Sequence, residues 1–330
     1  MSGIGLRRPT VRIVITDHPF PSTDIERRAL RKVGAELVLG NCVTEEEVLN
    51  LVRDADGILV TYAPITERVI DSLVKCRIIS RYGIGLDNID LAAATRRGIL
   101  VTYVPDYCVN EVSDHAMALL LAWARRITLL DRAVHDGDWD FRPFRPFPRL
   151  AGKTLGLLGF GKIGRAVAGK AGAFNMRVLT HDPYVTEDMA QQHCCELVRC
   201  REELFSASDV ISVHMPLTPE TRGSIGAREL SLMKDTAFLI NTARAEIIDE
   251  DALYEALRAG RPAGAGLDVL AKRDPGNKLY SLPQVILTPH AAFYSEESIL
   301  ELQTRAVGEV VRAFTGEPPL CPANSSATKR

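Results

Sequence analysis

The sequence predicts an α/β protein made of two lobes, each a doubly wound parallel sheet. Three observations predict it. Short β-branched runs alternate with longer amphipathic stretches along most of the chain, the pattern of parallel βαβ units. The 330 residues suit about two domains at roughly 100–200 residues each, and an apolar fraction of 46% is enough for two cores. The alternation is interrupted once, by a long apolar stretch and a Pro- and Arg-rich arm, and begins again at Thr154.

In chain order, Val11–Thr16 is the first strand, and Thr23-Asp-Ile-Glu26 reads as a capping box that opens a helix. Glu36–Leu39 is the next strand, followed by a second box at Thr44-Glu-Glu-Glu47. Gly57–Val60, Arg77–Ser80 and Ile99–Tyr103 continue the strands, with helical stretches between them. Pro105 ends this series. Val109–Ile127 then reads as one long helix, apolar on every face and so expected to be buried nearly all round, as a core helix, a subunit interface or both. Phe141–Arg149 (FRPFRPFPR) cannot be a regular helix and is expected as a connecting arm. The second series has strands at Thr154–Phe160, Arg177–His181, Asp209–His214, Ala237–Thr242, Gly264–Val269 and Val285–Thr288. A final helix spans roughly Ser295–Thr315, and the tail from Cys321 is expected to be disordered.

Composition excludes several classes. Lys+Arg (40) and Asp+Glu (42) nearly balance, giving a net charge of −2 with no basic run, so no nucleic-acid partner is expected. The longest apolar stretch, Ala116–Ala124, is about half of what a membrane span needs. Seven cysteines, without metal-ligand spacing, suggest reduced, cytoplasmic usage and no metal.

The strongest local signal is Gly159-Phe-Gly161-Lys162-Ile163-Gly164, which ends an apolar strand and opens a helix. That context gives the glycine pattern its meaning: a tight turn, close approach to a pyrophosphate, and close helix–sheet packing. The helix N-terminus adds N–H groups and a favourable dipole for phosphate. Asp182 ends the next strand, 18 positions after Gly164, where a carboxylate accepts from the adenosine ribose and repels a 2′-phosphate. NAD is therefore favoured over NADP.

Polar residues also follow the later strands directly, at His214-Met-Pro-Leu-Thr218, Asn241-Thr-Ala-Arg244, Asp268 and Thr288-Pro-His290. All of them fall on one sheet edge, where open α/β sheets bind ligands. Arg244 there can clamp a carboxylate with two parallel N–H bonds, and His290 can exchange a proton with a carbonyl or hydroxyl oxygen. With a nicotinamide, this suits interconversion of a 2-oxo acid and a 2-hydroxy acid. His18, His115, His135 and His193 lack such a setting.

These motifs resemble the D-isomer-specific 2-hydroxyacid dehydrogenase family, which includes phosphoglycerate dehydrogenases, glyoxylate/hydroxypyruvate reductases and the C-terminal-binding-protein corepressors. The resemblance runs from about Arg77 to Gly316 and is carried by SRYGIGLDNIDLAAATRRGI (80–99), VPDYCVNEVSDHAMALLLAWARR (104–126), GKTLGLLGFGKIGRAVA (152–168), HMPLTPETRGSIG (214–226), LINTARAEIIDEDAL (239–253) and VILTPHAAFYSEES (285–298). It implies a flavodoxin-like substrate lobe, residues 1–104 with 297–330, and a Rossmann NAD-binding lobe, residues 105–296. It also implies a homodimer paired through the NAD-binding lobe.

Carried over by position, the resemblance makes Arg244 the carboxylate clamp and His290 the acid/base. Gly83, Ile84 and Gly85 form the loop that holds the substrate carboxylate, with Arg81 and Tyr82 toward the substrate side chain. Lys162 and Ile163 contact the pyrophosphate and Asp182 the ribose. His214 and Pro216 line the adenosine pocket, Thr242 and Ala243 lie near the nicotinamide ribose, and Asp268 approaches the carboxamide.

One position departs from the family. Its third catalytic residue is a glutamate five positions after the residue matched by Asp268, and here that position is Arg273. A cation beside His290 favours the neutral imidazole, opposite to a glutamate. Three explanations stand. A one-residue shift brings Asp274 to His290 as a catalytic partner, Arg273 contacts an anionic substrate, or the chain is an NAD(H)-sensing, dimerising protein of the corepressor type with weak or no turnover.

Overall fold

The computed structural model describes residues 11–324. The chain divides into two compact units, one running to Tyr107 and resuming at Ser295, the other Cys108–Tyr294. The expected cuts after residues 104 and 296 move by a few residues for local reasons. Asp106 pairs with Arg305 at 2.7 Å, which keeps 105–107 with the first unit. Ser295 caps the last helix, Glu296–Thr315, and so travels with it.

In the first unit, β1 (Arg12–Ile15), β2 (Glu36–Leu39), β3 (Gly57–Val60), β4 (Ile78–Arg81) and β5 (Leu100–Thr102) form an all-parallel sheet in the order β2-β1-β3-β4-β5. This is the flavodoxin-like order. β3 and β4 are buried along their whole length, as central parallel strands require. Helices α1 (Asp24–Leu30), α2 (Glu45–Val52), α3 (Glu67–Ser72) and α4 (Leu91–Arg96) connect the strands.

The Thr44 box forms, with the Thr44 hydroxyl accepting from Glu47 N–H and the Glu47 carboxylate accepting from Thr44 N–H at 2.9 Å. The Thr23 box does not form. Glu26 is fully buried, and its carboxylate accepts from the Tyr82 hydroxyl (2.8 Å) and from Gln303 Nε2 (3.1 Å). Burial pushes the Glu26 carboxyl up, but the bonds from His18, Gln303 and Tyr82 outweigh it and hold it below the usual carboxylate range.

Residues 321–324 are ordered, contrary to the expected disordered tail. They pair antiparallel with β5 through Tyr103 N–H to Cys321 O (3.2 Å) and Ala323 N–H to Val101 O (2.7 Å). The sheet edge offers them unpaired backbone groups. The rest of the expected tail, 325–330, lies outside the described residues.

In the second unit, β6 (Thr154–Leu158), β7 (Arg177–His181), β8 (Glu196–Leu197), β9 (Val210–Val213), β10 (Phe238–Asn241), β11 (Gly264–Leu267) and β12 (Val285–Leu287) form an all-parallel sheet ordered β12-β11-β10-β9-β6-β7-β8. The two-residue edge strand β8 has no counterpart in the sequence reading. Its helices are α5 (Val109–Ala124), α6 (Ile127–His135), α7 (Lys162–Ala173), α8 (Glu187–Gln191), α9 (Arg201–Ala207), α10 (Ala227–Leu232) and α11 (Glu250–Arg258).

The expected single helix 109–127 therefore breaks. Arg126 takes a left-handed conformation (φ 57°), its guanidinium lies over the Trp123 ring, and its Nε donates to Pro146 O. Nor is α5 buried all round, since Asp114 and Ala118 are exposed. Its buried face lies close against β11 because Gly264 and Gly266 leave room: a Cβ on Gly266 would stand 3.1 Å from Leu119 Cβ. Trp123 stacks on Phe238 with centroids 4.6 Å apart, and truncating either ring to alanine would cost about 3–5 kcal/mol. The arm 141–149 is irregular apart from one 3₁₀ turn at Arg142–Phe144. No helix among the described residues is long and apolar enough to cross a membrane.

Candidate functional site

In the second unit the chain moves outward from β6 through β7 to β8, then returns to the other side of β6 with β9, so the topological switch lies between β6 and β9. Crevices form at such points, at the C-terminal strand ends. The glycine motif follows β6 there and His214 follows β9. Gly159 has φ +93°, and a Cβ on it would lie 2.7 Å from the His214 carbonyl. A Cβ on Gly164 would lie 2.5 Å from Gly159 O, so α7 starts tight beneath the turn. A Cβ on Gly161 would meet nothing within 4 Å.

Gly161 thus faces open space at the N-terminus of a twelve-residue helix whose first residues are Lys162 and Ile163. The N–H groups of that first turn have no acceptor within the helix. Asp182 accepts from Phe160 N–H (2.8 Å) and Tyr184 N–H (2.9 Å), one on each oxygen, which leaves acceptor capacity for a ribose. His214 Nε2 lies 2.8 Å from Ser212 Oγ, and burial pushes the imidazole down to about 4, so the ring is neutral at neutral pH. Thr242 Oγ1 is buried with no hydrogen-bond partner among the described residues. These features fit a dinucleotide.

Arg244, Asp268 and His290 follow β10, β11 and β12, which are neighbours with Asn241, Leu267 and Leu287 in register. Two strand spacings span only about 10 Å. The ladder continues past the strand ends through Asp268 N–H to Asn241 O (3.0 Å), Thr288 N–H to Leu267 O (3.0 Å) and His290 N–H to Asp268 O (2.8 Å). Asn241 fixes the first turn: Oδ1 accepts from Ala243 N–H and Nδ2 donates to Arg244 O. The arginine side chain then leaves a shaped turn, with Nη1 bonded to Ala243 O.

Asp268, only 1% exposed, anchors the segment that carries His290. Oδ1 accepts from the Thr288 hydroxyl (2.6 Å) and Ala291 N–H (2.9 Å), and Oδ2 accepts from Ala292 N–H (2.9 Å). His290 itself has φ +55°, rare for a side-chain-bearing residue. Thr288 also lies 2.9 Å from His115 Nε2 on α5. Sequence reasoning passed over His115. Its only signal there was a histidine within an apolar helix.

Two expected site residues are corrected. Tyr82 does not face a ligand: it is 1% exposed, its hydroxyl bonds Glu26, and its ring packs edge-on against Phe20. Asp274 does not reach His290. It is exposed, and its carboxylate accepts from Gly276 N–H at 2.9 Å within its own turn. The cause is the anchoring of that loop, in which Glu250 accepts from Ala271 N–H and Asn277 Nδ2 donates to Lys272 O (2.7 Å). Arg273 is also exposed, with Nε donating to Leu270 O. Neither Glu250 nor Asn277 was legible as a loop anchor, because both act through tertiary contacts.

In the first unit, the loop after β4 is shaped by Arg81. Its Nη1 would lie 1.3 Å from a Cβ on Gly83, whose φ is +140°, so only glycine fits there. Gly83 N–H donates to Arg81 O (3.0 Å).

The family model described as D-isomer specific 2-hydroxyacid dehydrogenase, NAD binding domain, matches residues 117–292. The chain is 38% identical over 309 residues to a D-3-phosphoglycerate dehydrogenase of Methanocaldococcus jannaschii; the match covers 93% of this chain and spans 58% of that protein's length. It is 37% identical to a glyoxylate reductase of Korarchaeum cryptofilum, covering 94% of this chain and 96% of that one. Among solved structures, a D-lactate dehydrogenase from Aquifex aeolicus, complexed with NAD and lactic acid, matches with a TM-score of 0.85 and 31% identity, covering 92% of this chain and 96% of that one.

Proposed function

The chain belongs to the D-isomer-specific 2-hydroxyacid dehydrogenase family, and on that premise we propose that it is an NAD-dependent oxidoreductase interconverting a small 2-oxo acid and its D-2-hydroxy acid. The observation that supports this best is the succession of Arg244, Asp268 and His290 on one edge of three neighbouring strands. When bound, NAD supplies or takes up the hydride. Gly159, Gly161, Lys162, Ile163 and Gly164 would hold its pyrophosphate, Asp182 its adenosine ribose, His214 and Pro216 the adenine side, and Thr242 and Ala243 the nicotinamide ribose. Asp268 Oδ2, with one acceptor position left, would meet the carboxamide.

Arg244 grips the substrate carboxylate bidentately and polarises the adjacent carbonyl. His290 gives a proton to the carbonyl oxygen during reduction and takes one from the hydroxyl in the reverse direction. A homodimer is part of this reading. Its support is the apolar surface left outside in a single chain, on α6 (Ile127, Val134) and beyond it at Trp139, which is 89% exposed.

A second reading, an NAD(H)-responsive interaction protein with little turnover, draws support from the position where the family has its glutamate. Arg273 occupies it, and Asp274 is tied into its own turn. NADH oxidation by the purified protein against a panel of 2-oxo acids, scanned across pH, separates the two. The dehydrogenase predicts turnover of some member that disappears in His290→Ala. NADH binding with no turnover on any member makes the sensor the better account.

A further inference from the structure

His115 has no role in the mechanism above, yet it joins a hydrogen-bond chain that reaches the His290 segment. Its Nε2 stands 2.9 Å from Thr288 Oγ1 and 3.6 Å from Asp268 Oδ1. The direction of the chain follows from proton counting. A threonine hydroxyl has one proton to donate, and an ionised carboxylate only accepts. Thr288 lies 2.6 Å from Asp268 Oδ1, so its proton points there. The Thr288 oxygen is then an acceptor toward His115, which must supply an Nε2–H.

The Asp268 carboxylate in turn receives the N–H groups of Ala291 and Ala292, and its carbonyl receives that of His290. These bonds bracket a residue held at φ +55°. Such a conformation costs about 1–3 kcal/mol and persists only where its surroundings over-determine it. The surroundings here are Asp268, and Asp268 Oδ1 is oriented from behind by Thr288 and His115.

We infer that His115 is a positioning residue: by donating to Thr288 it fixes the Asp268 carboxylate, and through it the backbone conformation that aims the His290 imidazole. The inference rests on the dehydrogenase reading, in which His290 moves the proton. His115 touches no reacting atom in it. Glutamine at 115 keeps an N–H donor for Thr288, leucine keeps bulk without one, and Thr288→Val cuts the same link from its other end.

The first test uses cofactor-free protein. Long-range 1H–15N spectra, with His115 assigned from its loss in His115→Gln, are expected to show a ring protonated at Nε2. A ring protonated at Nδ1 alone overturns the inference. The His290 ring resonances are expected to move in His115→Leu and in Thr288→Val and to return toward wild type in His115→Gln. An unmoved His290 signal in both link-breaking variants overturns it too.

The second test is kinetic. His115→Leu is expected to lower kcat on the order of tenfold or more while the KM for NADH stays within about threefold, because a small misaim of a reacting group is costly in the chemical step. His115→Gln recovers most of the loss, and His115→Leu combined with Thr288→Val is no worse than either alone, since both cut one chain. Wild-type kcat in both single variants, or losses that multiply in the double variant, refutes the relay. If wild-type protein turns over no 2-oxo acid, the dehydrogenase reading fails, and the spectroscopic test still decides whether His115 positions His290.

Discussion

Gly159 and His214 meet so closely at the β6–β9 switch that a Cβ on the glycine would lie 2.7 Å from the histidine carbonyl. The first glycine of the motif is therefore demanded by packing between two loops and by φ +93°, before any phosphate is considered. Of the three motif glycines, only Gly161 has open space where a Cβ would stand.

Stability should fall on the acid side through His214. Its folded value is about 4, against an ordinary 6.5, because burial disfavours the charged ring. The unfolded chain thus binds the extra proton first, and stability is complete above about 6.5 and lost as pH falls toward 4. By exposed area the residue is only half-buried, so a loss of roughly 2 kcal/mol is expected rather than the full value of the shift. Urea melts between pH 4 and 7 check this, and His214→Asn should flatten the slope.

Gly83→Ala should destabilise the first unit by about 1–3 kcal/mol, since φ +140° is strained for any side chain. The added methyl would also collide with the Arg81 guanidinium. Adding Arg81→Ala should recover the collision part of the loss and leave the backbone part. Full recovery by the double variant would show that φ contributes nothing.

Asp182→Ala should weaken NADH binding about tenfold and narrow the preference over NADPH, because the ribose loses its acceptor and a 2′-phosphate loses its repulsion. Titration of both reduced dinucleotides measures the ratio. An unchanged ratio would remove Asp182 from the ribose site.

Asp274→Asn should leave kcat and its pH profile within about twofold, as expected for an exposed turn residue. Asp268→Asn should lower kcat on the order of tenfold or more, because it disturbs the anchor of the His290 segment. The reverse order would restore Asp274 as the partner of His290.

Much of the architecture was legible in the chain. Parallel strands write themselves as short apolar runs between turns, and the ranges read at 36–39, 57–60 and 177–181 coincide with β2, β3 and β7. Arg244, Asp268 and His290 were recognisable because a polar residue directly after a buried strand has one place to go, the C-terminal edge of the sheet. Local signals failed where a tertiary partner outbid them. Glu26 left its capping box for Tyr82 and Gln303, and Arg126 ended a helix whose apolar pattern runs on.

The sequence by itself determined two parallel α/β units, the glycine turn that follows β6, and the placement of Arg244, Asp268 and His290 after three neighbouring strands. Each follows from spacing along the backbone, and spacing is local. Only the tertiary structure decided that Tyr82 turns inward, that Glu250 and Asn277 anchor the loop in which Asp274 bonds its own turn, and that His115 bonds Thr288 from α5. Those outcomes depend on which donors and acceptors come within about 3 Å of one another across distant segments, and the period of a strand or helix carries no record of that.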